Sequence, residues 1–389
     1  TPKPSSAASD VYKRQVYILS FTVGTGLLFL FSWLYLLPLY LKDLGATDTA
    51  IGILTGIFTL GYTFAQGGGG ILGDRMGRKT MVIIPTFLLP LPFLCMALFN
   101  HYIPVALCYF TASILSALQY PSTMAMVQES TPTPGRAFGK FEAGIGIGLA
   151  LGPLLGALLL RSLSIRHLFI ITAIAYFILG WVRLIGLKET LIHNPNKPDT
   201  NPFHLSRDFV VFLAGGCFLF LVFSQTLHGP FIALFQEEVL RYSRPRINII
   251  FALGGIAGAL FAPIGGRLAD RYGGVKILIL GMLGHTIFIT LWCYLYSIPL
   301  FIISGILSQF AYLTYQLVLT EKVPHHKRAA SAGLFGTITG LVSSVGPPLG
   351  IMLWKQSPHF PFLLAVGFGI VGSILFFVSS ILTHKEKMI

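Results

Sequence analysis

Charge is what this sequence has least of. Asp, Glu, Lys and Arg make up 11% of its 389 residues, whereas 54% are hydrophobic and the mean hydropathy is +0.76. A soluble domain carries charged side chains at about 25% of its positions, because they hydrate its surface. The shortage argues against a soluble enzyme and a soluble binding module, and it predicts an integral membrane protein.

The residues used in metal and covalent chemistry are few and scattered. The four cysteines stand singly inside apolar runs, without the spacing of a metal site or a redox pair. The sequence shows no nucleophile beside a base and no cluster of metal ligands. We therefore predict that the protein is not an enzyme and that it has no cofactor and no metal site.

Acids are scarcer than bases, with 14 Asp and Glu against 27 Lys and Arg, for a formal net charge of +13. Such an excess can indicate nucleic-acid binding, but the basic residues here do not cluster with aromatic side chains. They occupy short gaps between apolar runs, as in the cytoplasmic loops of membrane proteins. The predicted partners are membrane lipid and a small-molecule solute, without nucleic acid, and we expect a monomer.

Long polar stretches are missing too. Crossing the hydrocarbon core of a bilayer takes roughly 20 apolar residues in a helix. Twelve such runs follow one another without the alternation of barrel strands, which predicts an all-α integral membrane protein with twelve transmembrane helices. The runs are 16–41, 49–72, 80–100, 102–127, 137–160, 165–187, 208–235, 246–268, 275–296, 298–320, 329–354 and 360–383.

The basic residues orient these spans. Most of them fall in the two tails and in the loops after even-numbered spans, which the positive-inside rule places in the cytoplasm. We expect a multi-pass protein of a bacterial inner membrane with both termini inside. Residues 1–15 are polar and resemble vector sequence, so we expect a non-native or disordered tail. The N-terminal six-helix bundle is then 16–188, the cytoplasmic linker 189–207, and the C-terminal six-helix bundle with a short tail 208–389.

Three motifs occur once in each half of the chain. Each recurs after nearly half the chain length, which favours duplication and predicts two pseudo-symmetric bundles. They are Gly-x-x-x-Asp-Arg-x-Gly from Gly70 and Gly266, Glu-x-x-Pro-x-x-x-Arg-Ala from Glu129 and Glu321, and Gly-Pro-x-x-Gly from Gly152 and Gly346.

The loop from Gly70 to Lys79 resembles the signature loop between helices two and three of the major facilitator superfamily. The degenerate copy after span eight, the twelve spans and the central linker agree with this resemblance, which covers residues 16–383. It implies a secondary transporter whose two six-helix bundles rock about a central cavity lined by helices 1, 4, 7 and 10.

The resemblance implies that the charged loops form a cytoplasmic gate. A carboxylate such as Asp74 is favoured near a helix N-terminus, and loop arginines can pair with acids at helix ends. The alternative is that these charges only set the topology. The predicted gating residues are Gly70, Asp74, Arg75, Gly77, Arg78, Lys79, Glu129, Arg136, Asp270, Arg271, Gly273, Glu321 and Arg328.

Glycine recurs every fourth residue from Gly144 in span five, so another helix can approach that face closely. The pattern resembles the glycine–proline motif of the family's antiporters, which implies a hinge and export by exchange. Ordinary glycine packing is the alternative. The predicted hinge residues are Gly148, Gly152, Pro153 and Gly156.

Polar and aromatic residues occur in all four helices that the resemblance assigns to the cavity. Polar groups inside a membrane are costly and face a cavity or another helix. A site of amides and aromatic rings without fixed charge suits a neutral or amphipathic organic solute. The predicted cavity residues are Ser32, Tyr35, Gln119, Tyr120, Gln225, His228, Gln309, Tyr312 and Gln316.

Coupling to protons needs a titratable group inside the membrane, and the candidates are Glu142 and His228. An ion pair with Lys140 is the alternative role for Glu142. The arginine that the family's proton-coupled exporters carry in helix four is missing, since no Arg or Lys lies between Lys79 and Arg136.

The sequence therefore predicts a secondary active transporter that works by alternating access, with proton-coupled efflux as the first hypothesis. A metabolite importer or facilitator of the same fold is the alternative within transport. A transporter-like receptor or scaffold without net transport is the alternative from another class.

Overall fold

The computed structural model describes residues 6–130, 134–191, 206–322 and 328–386. These ranges contain helices and connections but no strand, and twelve of the helices are long and apolar enough to cross a membrane. The predicted all-α fold with twelve spans is confirmed. The spans are α1 Arg14–Asp43, α2 Asp48–Met76, α3 Arg78–Leu98, α4 Tyr102–Glu129, α5 Ala137–Leu159, α6 Ile165–Gly186, α7 Arg207–Val239, α8 Arg244–Tyr272, α9 Gly274–Leu295, α10 Ile298–Glu321, α11 Phe335–Trp354 and α12 Phe360–Thr383.

Several spans are interrupted or continue beyond the apolar window. In α7 the sequence Gly229-Pro230 ends the first helical segment, because proline lacks an N–H and fits poorly inside a helix. The segments are Ser6–Phe31, Leu34–Leu36 and Leu37–Asp43 in α1, Arg78–Leu88 and Pro90–Leu98 in α3, and Arg207–Thr226, Phe231–Leu234 and the π-helical Phe235–Val239 in α7. The helices that contain α5, α11 and α12 are Pro134–Leu159, Arg328–Trp354 and Phe360–Glu386.

The start of α1 lies inside the region that the sequence assigns to a tail. The helix begins at Ser6, and Gln15 is 1% exposed. The Gln15 amide donates to the carbonyl of Lys188 and accepts from its N–H, both at 3.2 Å. Residues 6–15 are therefore helical, and Gln15 joins α1 to the chain that leaves α6.

The described chain divides into two compact units. They correspond to the two halves of the sequence, except that each unit includes one short segment from the other half. Unit 1 is Thr1–Ala46, Gly61–Asn196 and Arg244–Ile249, and unit 2 is Thr47–Leu60, Lys197–Ser243 and Ile250–Ile389. The first turns of α2 thus belong to unit 2, and those of α8 to unit 1. Of the predicted linker 189–207, residues 192–205 lie outside the described part of the chain.

Each unit has an aromatic core. In unit 1 the fully buried Trp33 packs edge-on against Phe169 at 4.8 Å and donates from Nε1 to Thr172 Oγ1 at 2.9 Å. In unit 2 the rings of Phe212 and Tyr315 stack at 5.4 Å. Apolar surface buried within each unit stabilises these helices against one another.

Candidate functional site

The cytoplasmic turn of unit 1 links α2 to α3 through Gly77. Its φ of +98° is in the region that favours glycine. Arg78 Nη2 lies 2.7 Å from Asp74 Oδ1, and Arg78 Nε lies 3.8 Å from Glu129 Oε1. The Asp74 side chain is 63% exposed and that of Arg78 is 15% exposed, so the arginine is the buried centre of this cluster.

Glu189 completes the turn and was not predicted from the sequence. Its carboxylate accepts from the backbone N–H groups of Arg78 and Lys79 at 3.0 and 3.1 Å, and thereby caps the N-terminus of α3. It also accepts from the N–H groups of Thr190 and Leu191, both at 2.9 Å. Burial alone would raise the pKa of Glu189, but these four N–H groups outweigh it and lower the pKa.

The available signal for Glu189 was an acid three residues after the end of α6. The sequence reasoning put Asp74 near a helix start, whereas the structure puts Glu189 on the N-terminus of α3. Glu129 contributes from the other side, because its Oε2 accepts from Thr190 Oγ1 at 2.5 Å. Ends of α2, α4 and α6 therefore meet at the start of α3.

The matching turn of unit 2 has the same backbone and few contacts. Gly273 has a φ of +97°, but Gly274 occupies the place of Arg78. Asp270 and Glu321 make no ion pair with a described residue. Arg271 Cζ lies 5.2 Å from the ring centroid of Tyr272, the next residue in the chain. The side chains of Arg136 and Arg328, the remaining predicted members, lie outside the described residues.

Unit 2 has a buried ion pair instead, which was not predicted from the sequence. Lys322 Nζ donates to Asp208 Oδ2 at 2.6 Å, and their side chains are 11% and 8% exposed. Thr383 Oγ1 accepts from Lys322 at 2.8 Å and donates to Asp208 at 2.9 Å. Ser206 Oγ also donates to Asp208. This cluster joins the cytoplasmic ends of α7, α10 and α12.

The glycines of α5 pack directly against α1, as their spacing predicts. A Cβ atom added to Gly144 would overlap Ser20, and one on Gly152 would lie 2.8 Å from the carbonyl oxygen of Leu28. The two backbones therefore lie in close contact, with the small Ser20 side chain beside Gly144. We call this contact the glycine seam; it consists of Gly144, Gly148, Gly152 and Gly156 of α5 against Ser20, Gly24, Leu28 and Ser32 of α1.

A related close approach joins α7 to α11 inside unit 2. The Gln225 amide donates to the carbonyl of Gly346 at 2.6 Å, and a Cβ atom on Gly350 would overlap Gln225 Oε1. Gln225 has no exposed surface. The predicted cavity residues Gln225, Ser32 and Gln119 are all buried. Gln225 and Gln119 form hydrogen bonds with neighbouring helices, whereas Ser32 donates to the carbonyl of Phe29 in its own helix.

The other predicted cavity residues keep accessible surface. Tyr120 is 42% exposed and Tyr312 is 40% exposed, while His228 is exposed beside the break in α7. Gln309 and Gln316 are half-buried, and their amides make no hydrogen bond with the described residues. Tyr35 is half-buried against the ring of Phe31.

A buried arginine inside α6 was also missed. Arg183 is 3% exposed and donates to Thr22 Oγ1 at 3.0 Å, to Thr86 Oγ1 at 2.6 Å and to Gln119 Oε1 at 2.5 Å. These uncharged acceptors come from α1, α3 and α4. The available signal was an arginine deep within the apolar run 165–187, well apart from Arg166 at its start. A positive charge near α4, missing from the sequence of α4 itself, is thus supplied by α6.

The two coupling candidates differ in their surroundings. Glu142 lies in α5 with its side chain exposed, and it makes no hydrogen bond or ion pair with a residue in the described ranges. Lys140 donates instead to the hydroxyl of Tyr17 at 2.5 Å, so the ion pair considered for Glu142 is not formed. His228 packs edge-on against Phe223 at 5.9 Å.

Comparison with known proteins agrees with this architecture. The chain is 24% identical to the quinolone resistance protein NorA of Staphylococcus aureus (strain Mu50), over 96% of this chain and 98% of that protein. A bacterial homolog of the human lysosomal transporter Spinster, in an inward-facing and unoccupied conformation, has the same fold with a TM-score of 0.76, 16% identity and 98% coverage of each chain. The nucleoside transporter NupG matches with a TM-score of 0.74 and 16% identity, over 94% of this chain and 98% of that one.

The sequence model described as Major Facilitator Superfamily matches residues 16–224 and 214–387, which together span nearly the whole chain. Members of this family are transporters and not enzymes, in agreement with the twelve spans. The chain belongs to the Major Facilitator Superfamily and is an integral membrane transporter of small-molecule solutes.

Proposed function

We propose that the protein exports a small amphipathic organic solute in exchange for protons, by alternating access. Its likeness to a quinolone resistance protein extends over almost the full length of both chains. A membrane transporter produces resistance most simply by moving the compound outward. We infer a substrate class of aromatic, drug-like molecules.

The accessible residues of the predicted cavity helices fit such a solute. Tyr120 and Tyr312 offer aromatic surface, and the amides of Gln309 and Gln316 have hydrogen-bonding groups that no described residue uses. Rings supply apolar area, and a few amides orient the ligand. We expect Gln309→Ala or Tyr312→Ala to raise the concentration of substrate needed for half-maximal transport, with insertion unchanged.

Glu142 is the observation that carries the coupling proposal. It lies two residues before Gly144, the first residue of the glycine seam, and no described basic side chain neutralises it. A carboxylate in that position can bind a proton when its surroundings become apolar and release it when water reaches it. Proton binding would then depend on the position of α5.

The test is transport of a fluorescent quinolone in proteoliposomes with an imposed proton gradient. We expect wild type to move the quinolone against its own gradient, and Glu142→Gln to lose this accumulation while retaining downhill exchange of labelled quinolone. Glu238→Gln, which removes a carboxylate at the far end of α7, is the matched control. Flux that ignores the proton gradient in wild type would contradict the proposal.

A facilitator or importer of a metabolite is the second candidate. It is favoured by the absence of Arg and Lys between Lys79 and Arg136, and the same fold occurs in a nucleoside transporter. A facilitator would equilibrate its solute at the same rate with and without the proton gradient. A receptor or scaffold would bind solute but show no counterflow of label.

A further inference from the structure

Unit 1 contains a cavity of about 510 Å³ that the proposed transport path does not use. It lies where the α1–α2 connection, the α5–α6 connection and the first turn of α8 meet, all within unit 1. Its polar wall includes Tyr40, Asp43, Ser164, Arg166 and Arg244. Leucine, isoleucine and proline side chains form the rest.

The charges in this wall do not cancel. Arg244 Nη2 is 2.7 Å from Asp43 Oδ2, so these two residues form an ion pair. Arg166 instead donates from Nε to the hydroxyl of Tyr40 at 3.0 Å and from Nη2 to Asn100 Oδ1 at 2.5 Å. Both acceptors are uncharged. With two arginines and one aspartate, the lining has one positive charge in excess.

The backbone adds to this positive potential. Arg166 is the second residue of α6, a 22-residue helix that begins at Ile165. The N-terminus of a long helix favours anions through its dipole, although here Ser164 and His167 form a capping box that uses the backbone N–H groups of both residues. Arg166 is half-buried, and its described bonds use Nε and Nη2, which leaves N–H groups of Nη1 for a ligand.

We propose that this cavity binds a small amphipathic anion, a carboxylate attached to an apolar body, with Arg166 as its anchor. Guanidinium groups bind carboxylates through paired hydrogen bonds, and the apolar wall receives the rest of the molecule. The volume is within the range of small-molecule sites. Asp43 competes with the anionic ligand, because its carboxylate is already paired with the guanidinium of Arg244.

The test compares benzoate with its neutral analogue benzamide on the purified, full-length protein in detergent without added phospholipid. Binding to the folded protein raises its apparent melting temperature, and above the dissociation constant the rise grows with the logarithm of ligand concentration. We expect such a concentration-dependent rise with sodium benzoate, and no rise with benzamide or with sodium chloride at the same ionic strength. Equal responses to benzoate and benzamide would overturn the proposal.

Four variants separate recognition of benzoate from damage to the fold. Arg166→Gln is expected to raise the half-saturating benzoate concentration about ten-fold, and Asp43→Asn to lower it about three-fold. Arg161→Gln removes an exposed arginine of the same connection that does not line the cavity, and it should leave benzoate binding unchanged. Tyr40→Phe removes one hydrogen bond of Arg166 but leaves the arginine's charge in place, so this variant should retain the benzoate response.

Opposite shifts in Arg166→Gln and Asp43→Asn cannot come from a general loss of stability. Unchanged benzoate binding in Arg166→Gln would overturn the role of the arginine, whatever the melting temperature of the free variant. The measurement involves no gradient and no quinolone, so its outcome is distinct from that of the transport assay.

Discussion

The two cytoplasmic turns have the same backbone conformation at their central glycine but different side-chain contacts. Gly77 and Gly273 have φ values of +98° and +97°, yet Gly77 lies under the Glu189 carboxylate, whereas a Cβ atom on Gly273 would meet nothing within 4 Å. Unit 1 concentrates its charges on the turn, and unit 2 places its ion pair at the ends of α7, α10 and α12. The chain path of the turn is therefore the same in both units, and each unit is joined at its cytoplasmic end by different charges.

The ion pair of unit 2 gives the largest expected effect. Asp208→Asn or Lys322→Met leaves one charged or polar partner buried, which costs about 3–5 kcal/mol in such pairs. We expect a large drop in the apparent melting temperature of the purified protein. Lys276→Met, at an exposed lysine of the same unit, is the control and should change it little. Equal melting temperatures for Lys322→Met and Lys276→Met would contradict a stabilising role for the pair.

The two glycines give the next effect. Alanine in this part of φ/ψ space costs on the order of 1–3 kcal/mol, so Gly77→Ala and Gly273→Ala should both destabilise. Gly77→Ala should destabilise more, because its Cβ would lie 2.6 Å from Glu189 Oε2. Thermal unfolding of the two variants measures the difference. If Gly273→Ala proves the more destabilising, the Glu189 contact does not constrain the turn.

Removing the charge of Glu189 is expected to have a smaller and pH-dependent effect. Because its pKa is lowered in the folded protein, the carboxylate stabilises the fold above its ordinary value of 4.5, and this contribution is lost as the pH falls through the folded value. Glu189→Gln should therefore melt below wild type near neutral pH, and the two melting curves should converge in acid. A gap that stays constant from about pH 7 to about pH 3 would argue against the cap.

Asp74→Asn is expected to change stability least, because the side chain is 63% exposed and surface ion pairs contribute little. Its predicted effect is kinetic. If the Asp74–Arg78 pair closes the cytoplasmic side, the variant should lower the maximal transport rate several-fold while the half-saturating solute concentration stays the same. An unchanged maximal rate would assign Asp74 to topology alone.

The spans and the approach of α5 to another helix were predictable from the sequence. Apolar length and a four-residue glycine spacing are local patterns that indicate a spanning helix and a close helix contact directly. The left-handed turns at Gly77 and Gly273 belong to the same class, since glycine in a tight turn indicates the backbone directly.

The partners of the polar residues could not be predicted in this way. The partners that Glu189, Lys322 and Arg183 bind lie on other helix ends and faces, more than sixty residues away in sequence. A polar side chain in a span can face a cavity or satisfy a neighbouring helix, and the sequence does not distinguish the two outcomes. Gln119 and Gln225 form hydrogen bonds with neighbouring helices, while Gln309 and Gln316 have no hydrogen-bond partner among the described residues.

The glycine seam has a mechanical consequence for unit 1. A Cβ atom on Gly148, Gly152 or Gly156 would meet a backbone carbonyl oxygen of α1, and only at Gly144 is a side-chain atom, the Ser20 hydroxyl, the nearest contact. Packing this close leaves the two helices little room to move against each other, so a bend at Pro153 would be transmitted to α1. The distance between α1 and α5 should therefore stay constant during transport, and movements of the other helices can be measured relative to this pair.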